Sequence, residues 1–210
     1  MVYAFIIHTL NPSVEAEACR VLYACTFGSE DSLDDPAELP LSSNTSDQVI
    51  DRRTFKKEQL ALVGRQVQSE YSFRRSACSR DQSEQVAGGL SLAVSLDDAG
   101  QWDVGFFRLL AGDPFRMEKV VVWLGLANIG LALVCERSEN RLLAESTLKL
   151  LLRYLQEHVQ AATQPAELLT RGDRVAIIVH QFLPSGRLVF MNYAVIRQLE
   201  KDMENLLRGK

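Results

Sequence analysis

The chain has 210 residues, of which 47% are hydrophobic and 24% charged, with a formal net charge of −4. This is enough apolar material to core a globular domain, and it excludes a disordered chain. The charge balance lacks the basic excess of a nucleic-acid binder, and no apolar run approaches the ~18 residues of a membrane span.

Val2–Leu10 reads as a strand with apolar residues on both faces. Val2, Ala4 and Ile6 point one way and Tyr3, Phe5 and Ile7 the other, which predicts a central strand covered on each side. No basic region precedes Ala4–Ile7, so a signal peptide is not expected. Asn11-Pro12-Ser13 marks a turn, and Cys19–Phe27, rich in Val, Tyr and Phe, is a second strand. The short connection predicts an antiparallel pair.

Gly28–Asp51 holds seven acids and no Lys or Arg. With those acids set aside, the basic residues outnumber the remaining acidic ones, so a mildly basic body carries one acidic loop. Residues 28–50 are long and polar for a compact domain, which predicts disorder. Asp51 is placed to cap a helix from Arg52 to Phe73, with Phe55, Leu60, Val63, Val67 and Tyr71 on its inner face. Arg52, Arg53, Lys56 and Lys57 cluster at its start, where positive charge opposes the helix dipole. The plain reading of such a cluster is a solvated face. The functional one is a basic contact face for an acidic partner or anionic lipid head groups.

Residues 76–100 are polar and irregular, again predicting disorder, with Leu90–Leu96 as a weak edge strand. Gly105–Leu110 is a stronger strand. Val120–Leu124 and Ile129–Cys135 form a buried hairpin turning near Gly125–Asn128. Ser138 or Asn140 then starts a leucine-rich helix ending at Val159. On a step of ~100° per residue its apolar residues cover an arc of roughly 200°, against a little over ~100° for an ordinary surface helix. The surplus needs a second cover, either another layer of the domain or another protein. Leu142, Leu143, Leu148, Leu150, Leu151, Tyr154 and Leu155 are therefore candidate partner-interface residues.

Ala166–Pro184 is ambiguous. Val175–Val179 reads as a strand by its β-branching, paired locally with Arg187–Phe190 through Pro184-Ser185-Gly186. Leu168, Val175, Ile178, Val179 and Phe182 equally fit one helical face. Asn192 caps a last helix whose face is Tyr193, Ile196, Leu199, Met203 and Leu206. Five strands in meanders, with a helix between the second and third, predict an α+β fold: an antiparallel sheet covered by helices in a single domain.

Chemistry is hard to find. Phosphate-binding glycine motifs and a nucleophile elbow are missing from the sequence. His8, His158 and His180 are scattered, and the paired acids Asp34-Asp35 and Asp97-Asp98 sit in apparent loops. Cys19, Cys25, Cys78 and Cys135 form no C-x-x-C and read as reduced thiols of a cytosolic protein. The expectation is a binding subunit with no catalytic residue, cofactor or metal.

Five segments, taken in order, resemble the small sigma subunits of adaptor-protein complexes. They are AFIIHTL (Ala4–Leu10), CRVLYACTFG (Cys19–Gly28), VVWLGL (Val121–Leu126), ENRLLAESTLKLLLRYL (Glu139–Leu155) and FLPSGRLVFMN (Phe182–Asn192). Within that family they are most similar to the sigma type of the fifth complex. The resemblance implies a longin-like fold, β-β-α-β-β-β-α-α-α, with a helix at Ala166–Leu183. It implies a non-enzymatic subunit packed on a large zeta-type adaptin in a heterotetramer with beta and mu subunits. It further implies a cytoplasmic protein, peripheral on late endosomes and lysosomes, that works in vesicle trafficking and cargo retrieval with spatacsin and spastizin as associates. A dileucine-cargo pocket is not carried over, because LVCERSENRLL (Leu133–Leu143) matches no such pocket residue by residue. Two other readings stay open: a longin-like scaffold subunit of a tethering or exchange-factor complex, and a small enzyme with a non-motif site.

Overall fold

The structure, a computed structural model, describes residues 1–10, 19–28, 45–78, 102–126 and 128–208. Of the stretches predicted to be disordered, 28–50 and 76–100, residues 29–44 and 79–100 lie outside the described residues, as does the strand predicted at Leu90–Leu96, whereas residues 45–50 and 76–78 are helical.

Five strands form one antiparallel sheet: β1 (Val2–Thr9), β2 (Val21–Thr26), β3 (Trp102–Leu109), β4 (Lys119–Leu126) and β5 (Ile129–Glu136). Their spatial order is β2-β1-β5-β4-β3. The predicted hairpin forms, with Leu126 opposite Ile129, so two residues make the turn. β4 is buried along its whole length, and β1 and β5 at every position but the last. A strand buried on both faces needs a layer on each side.

The helix α1 (Thr45–Cys78) covers one face. Leu60, Val63, Val67 and Tyr71 of α1 pack there on Ala4, Ile6, Val121, Trp123, Ala132 and Val134. The opposite face takes the larger core, built with α2 (Arg141–Val159), the short α3 (Glu167–Thr170), α4 (Gly172–Phe182) and α5 (Tyr193–Arg208). This arrangement is α+β and consistent with a longin-like sigma fold.

Several local expectations need correction. Asp51 does not cap α1, which starts at Thr45; no Pro or Gly lies between Thr45 and Asp51 to stop the helix there. Arg52–Lys57 therefore lie beyond the first turn, where a helix dipole has faded. Phe55 is exposed rather than on the buried face, as are Tyr193 and Leu206 of the last helix, while Met203 is buried. Val2 and Tyr3 exchange sides relative to strict alternation: Val2 joins the α2-side core and Tyr3 the α1-side core. The cause is a register shift in the β1–β5 pairing between Val2 and Ala4, as a bulge produces. The strand reading of Val175–Val179 fails, because Val175, Ile178, Val179 and Phe182 are all buried on one face of α4. Burial of that face overrides their β-branched preference. A 3-10 turn at Pro184–Gly186 then leads to the last helix, where the Asn192 side chain accepts the Val195 N–H at 2.9 Å.

His8 is fully buried on the α1 side of β1. Its Nδ1 lies 3.0 Å from the Thr9 carbonyl oxygen and 3.3 Å from Cys19 Sγ, while Nε2 has no hydrogen-bond partner among the described residues. The ring fits only because residue 130 is glycine: a Cβ there would come within 2.6 Å of His8 Cε1. Burial pulls the His8 pKa down to about 4, partly opposed by the Thr9 carbonyl. The neutral ring is thus bound in preference to the imidazolium.

The unfolded chain takes up this proton near pH 6.5, and the folded chain only near 4. The stability from neutral His8 is complete above about pH 6.5 and should fall by about 3 kcal/mol as the pH drops towards 4. Denaturant unfolding over that range should show the slope, and His8→Gln should flatten it relative to that variant's own neutral-pH stability.

Candidate functional site

α2 is fixed at its start by Asn140, whose side-chain oxygen accepts the N–H groups of Leu142 and Leu143 at 3.0 and 3.2 Å. From this cap the helix runs over β4 and β5. Its inner residues Ala144, Leu148, Leu151, Leu152, Leu155 and Val159 are all buried. Tyr154 stacks on Phe182 of α4 with ring centroids 4.6 Å apart, and its hydroxyl donates to Glu200 of α5 at 2.5 Å. Burial and the Glu200 carboxylate together push the Tyr154 pKa up.

The sheet and α4, with α5 joined through Tyr154 and Glu200, thus cover most of the broad apolar arc. Of the seven residues read from the sequence as a partner interface, Leu148, Leu151, Tyr154 and Leu155 lie inside this core. Leu143 and Leu150 are half-buried. Leu142, 76% exposed, is the one of the seven that stands in solvent.

Leu142 has a neighbour that the sequence reading did not single out. Phe106 of β3 is 53% exposed. Arg141 lies over its ring, 4.5 Å from guanidinium carbon to centroid. A shallow depression of about 480 Å³ runs between them, bordered by Arg74, Val104 and Glu145. The signal for Phe106 was present as the pair Phe106-Phe107: in a strand, one of the two must leave the side that the other faces. Phe107 packs partly into the α1-side core, and Phe106 is left outside. Arg74 crosses β3 at Gly105, where a Cβ would come within 2.6 Å of Trp123, and donates to the Val104 carbonyl.

The basic cluster lies at the other edge of the sheet. Arg53 and Lys57 are exposed and Lys56 half-buried. All three, with Arg20, border a groove of about 880 Å³ between β2 and α1. The side chain of Arg52 lies outside the described residues.

The remaining sequence candidates do not converge. His8 is on the α1 side of the sheet, while His158 and His180 belong to α2 and α4 on the opposite side. Among the described residues, no three potential metal ligands gather, no helix is long and apolar enough to cross a membrane, and Cys19, Cys25 and Cys135 are free thiols. Burial raises the Cys19 pKa to about 11 and that of Cys135 to about 12, so both thiols are poor nucleophiles at neutral pH.

Residues 1–204 match the family model for the AP-5 complex subunit sigma-1. The chain belongs to this sigma-1 family. It is 41% identical over 204 residues to a Homo sapiens AP-5 complex subunit sigma-1, an alignment covering 96% of each chain. It is also 41% identical over 165 residues to the Mus musculus protein of the same description, covering 78% of this chain and 91% of that one. The family is one of small adaptor-complex subunits, which act as scaffolds rather than catalysts.

The two parts of α2 should respond differently to a buried charge. Leu151→Asp places a carboxylate in the core and should cost at least about 3 kcal/mol, whereas Leu142→Asp should stay within about 0.5 kcal/mol of the parent. Thermal unfolding of the two variants checks this.

Proposed function

We propose that this chain is the small, non-catalytic subunit of a heterotetrameric adaptor complex. In this reading it packs on a large zeta-type adaptin beside beta and mu subunits. It reaches late endosomal and lysosomal membranes peripherally, through the complex, and serves vesicle trafficking and cargo retrieval with spatacsin and spastizin as associates. The sigma-1 family match over residues 1–204 carries the reading.

The surface chemistry supports it. An exposed Phe106 next to an exposed Leu142 makes an apolar contact point ringed by Arg141, Arg74 and Glu145. An apolar centre with a charged rim is the usual anatomy of a protein–protein contact. We assign the large-subunit contact to this junction.

The test is co-expression of the tagged chain with a zeta-type large adaptin, followed by size-exclusion chromatography. A 1:1 complex is expected to co-elute. Phe106→Asp combined with Leu142→Asp should weaken it by at least about tenfold, while a polar-face change such as Gln198→Ala leaves it intact. Failure of the parent chain to co-elute would sink the assignment.

A further inference from the structure

The two edges of the sheet are finished differently. At β3, Arg74 takes the Val104 carbonyl and Arg141 lies over Phe106, so side chains of α1 and α2 guard that edge. β2 is the terminal strand on the other side, and its residues are only half-buried or exposed. A terminal strand presents backbone N–H and C=O groups that its single neighbour does not take. The six residues of β2 offer a track of about 20 Å.

Beside that track lies the groove of about 880 Å³. Its shape follows from small side chains. Ala24 and Thr26 stand opposite Ile6 and Ala4 of β1, on the α1 side of the sheet, and Ala61 faces them from the helix. Larger residues at these three positions would fill the space. Among the described residues its charge is one-sided: Arg20, Arg53, Lys56 and Lys57 line it, and no described Asp or Glu does. The cations converge on a concave strip along a strand edge, whereas the outward face of the same stretch of α1 carries the exposed Glu58. A flat anionic membrane would meet Glu58 along with the cations. A narrow acidic chain lying in the groove would not.

We infer that this groove accepts an extended acidic segment of a partner protein, which adds to β2 as a sixth strand. Backbone hydrogen bonds to β2 hold the segment, small apolar side chains fill the space over Ala24, Thr26 and Ala61, and its carboxylates meet the four cations. The site is at the opposite sheet edge from the Phe106–Leu142 junction and does not depend on that assignment.

The test uses the full chain and a labelled peptide of alternating Glu and Val, read by fluorescence anisotropy. Saturable binding is expected, weakening steeply with added salt. Lys56→Glu combined with Lys57→Glu should reduce affinity by at least about tenfold without lowering the melting temperature. Methylating alternate backbone nitrogens of the peptide should weaken binding to a similar degree, because strand addition needs those N–H groups. Three results would overturn the proposal. The methylated peptide binding as tightly as the parent leaves charge attraction without strand addition. Phosphatidylserine vesicles binding through Lys56 and Lys57, with no peptide binding, makes the surface a lipid site. Peptide binding that occurs only after Glu30, Asp31, Asp34, Asp35 and Glu38 are changed to Gln or Asn makes the chain's own acidic connection the occupant.

Discussion

The constraint on which the rest depends is that the middle of the sheet is buried on both faces. β1, β5 and β4 have almost no exposed side chain among them. Three such strands side by side have no polar face to give to water, so both sides must be roofed. α1 roofs one side, and α2 with α4 and α5 the other. The helices thus spend their apolar faces internally. The outer strands β2 and β3 are less fully covered than these three.

This division explains why the fold was far more legible in the sequence than the surfaces were. Uninterrupted apolar runs such as VVVWL and IGLALVC leave little choice but central strands, and the short tie between them forces a hairpin. The breadth of the α2 arc correctly signalled a second cover, but periodicity could not name it. Leu148 and Leu142 look alike in the sequence, and only the tertiary packing separates a core leucine from one in solvent. Phe106 was obscured in the same way, since a strand's alternation tells which residues share a face but not whether that strand lies at an edge. The β-branched run in α4 misled for a different reason. Intrinsic preference is worth fractions of a kcal/mol per residue, and a fully buried helical face outweighs it. Likeness to sigma subunits supplied the helix there where local physics left the matter open.

The scaffold character of the protein also has a chemical side. Three of its buried ionisable groups are held in their neutral forms: His8 without a proton, Cys19 and Cys135 with theirs. Groups kept neutral by burial are used here for shape. The His8 ring fills the space over Gly130 while one nitrogen has no partner among the described residues. Exposed charges include Arg141 over Phe106 at one edge of the sheet and Arg53 and Lys57 along the β2 groove at the other.

The order β2-β1-β5-β4-β3 has a kinetic consequence. β1 is hydrogen-bonded on one side to β5, with Val2 opposite Cys135. More than half the chain must be synthesised before that central pair can close, and a loop of this length carries a large closure entropy. Until then β1 has β2 beside it and α1 available for the face of Ala4 and Ile6, but its other edge is unpaired and the face that α2 and α4 later cover has no roof. On the ribosome the nascent protein therefore passes through a long interval as a hydrophobic, unpaired edge, the condition in which chains aggregate or recruit chaperones. The sheet that makes the finished subunit a rigid scaffold makes its birth the stage most in need of help.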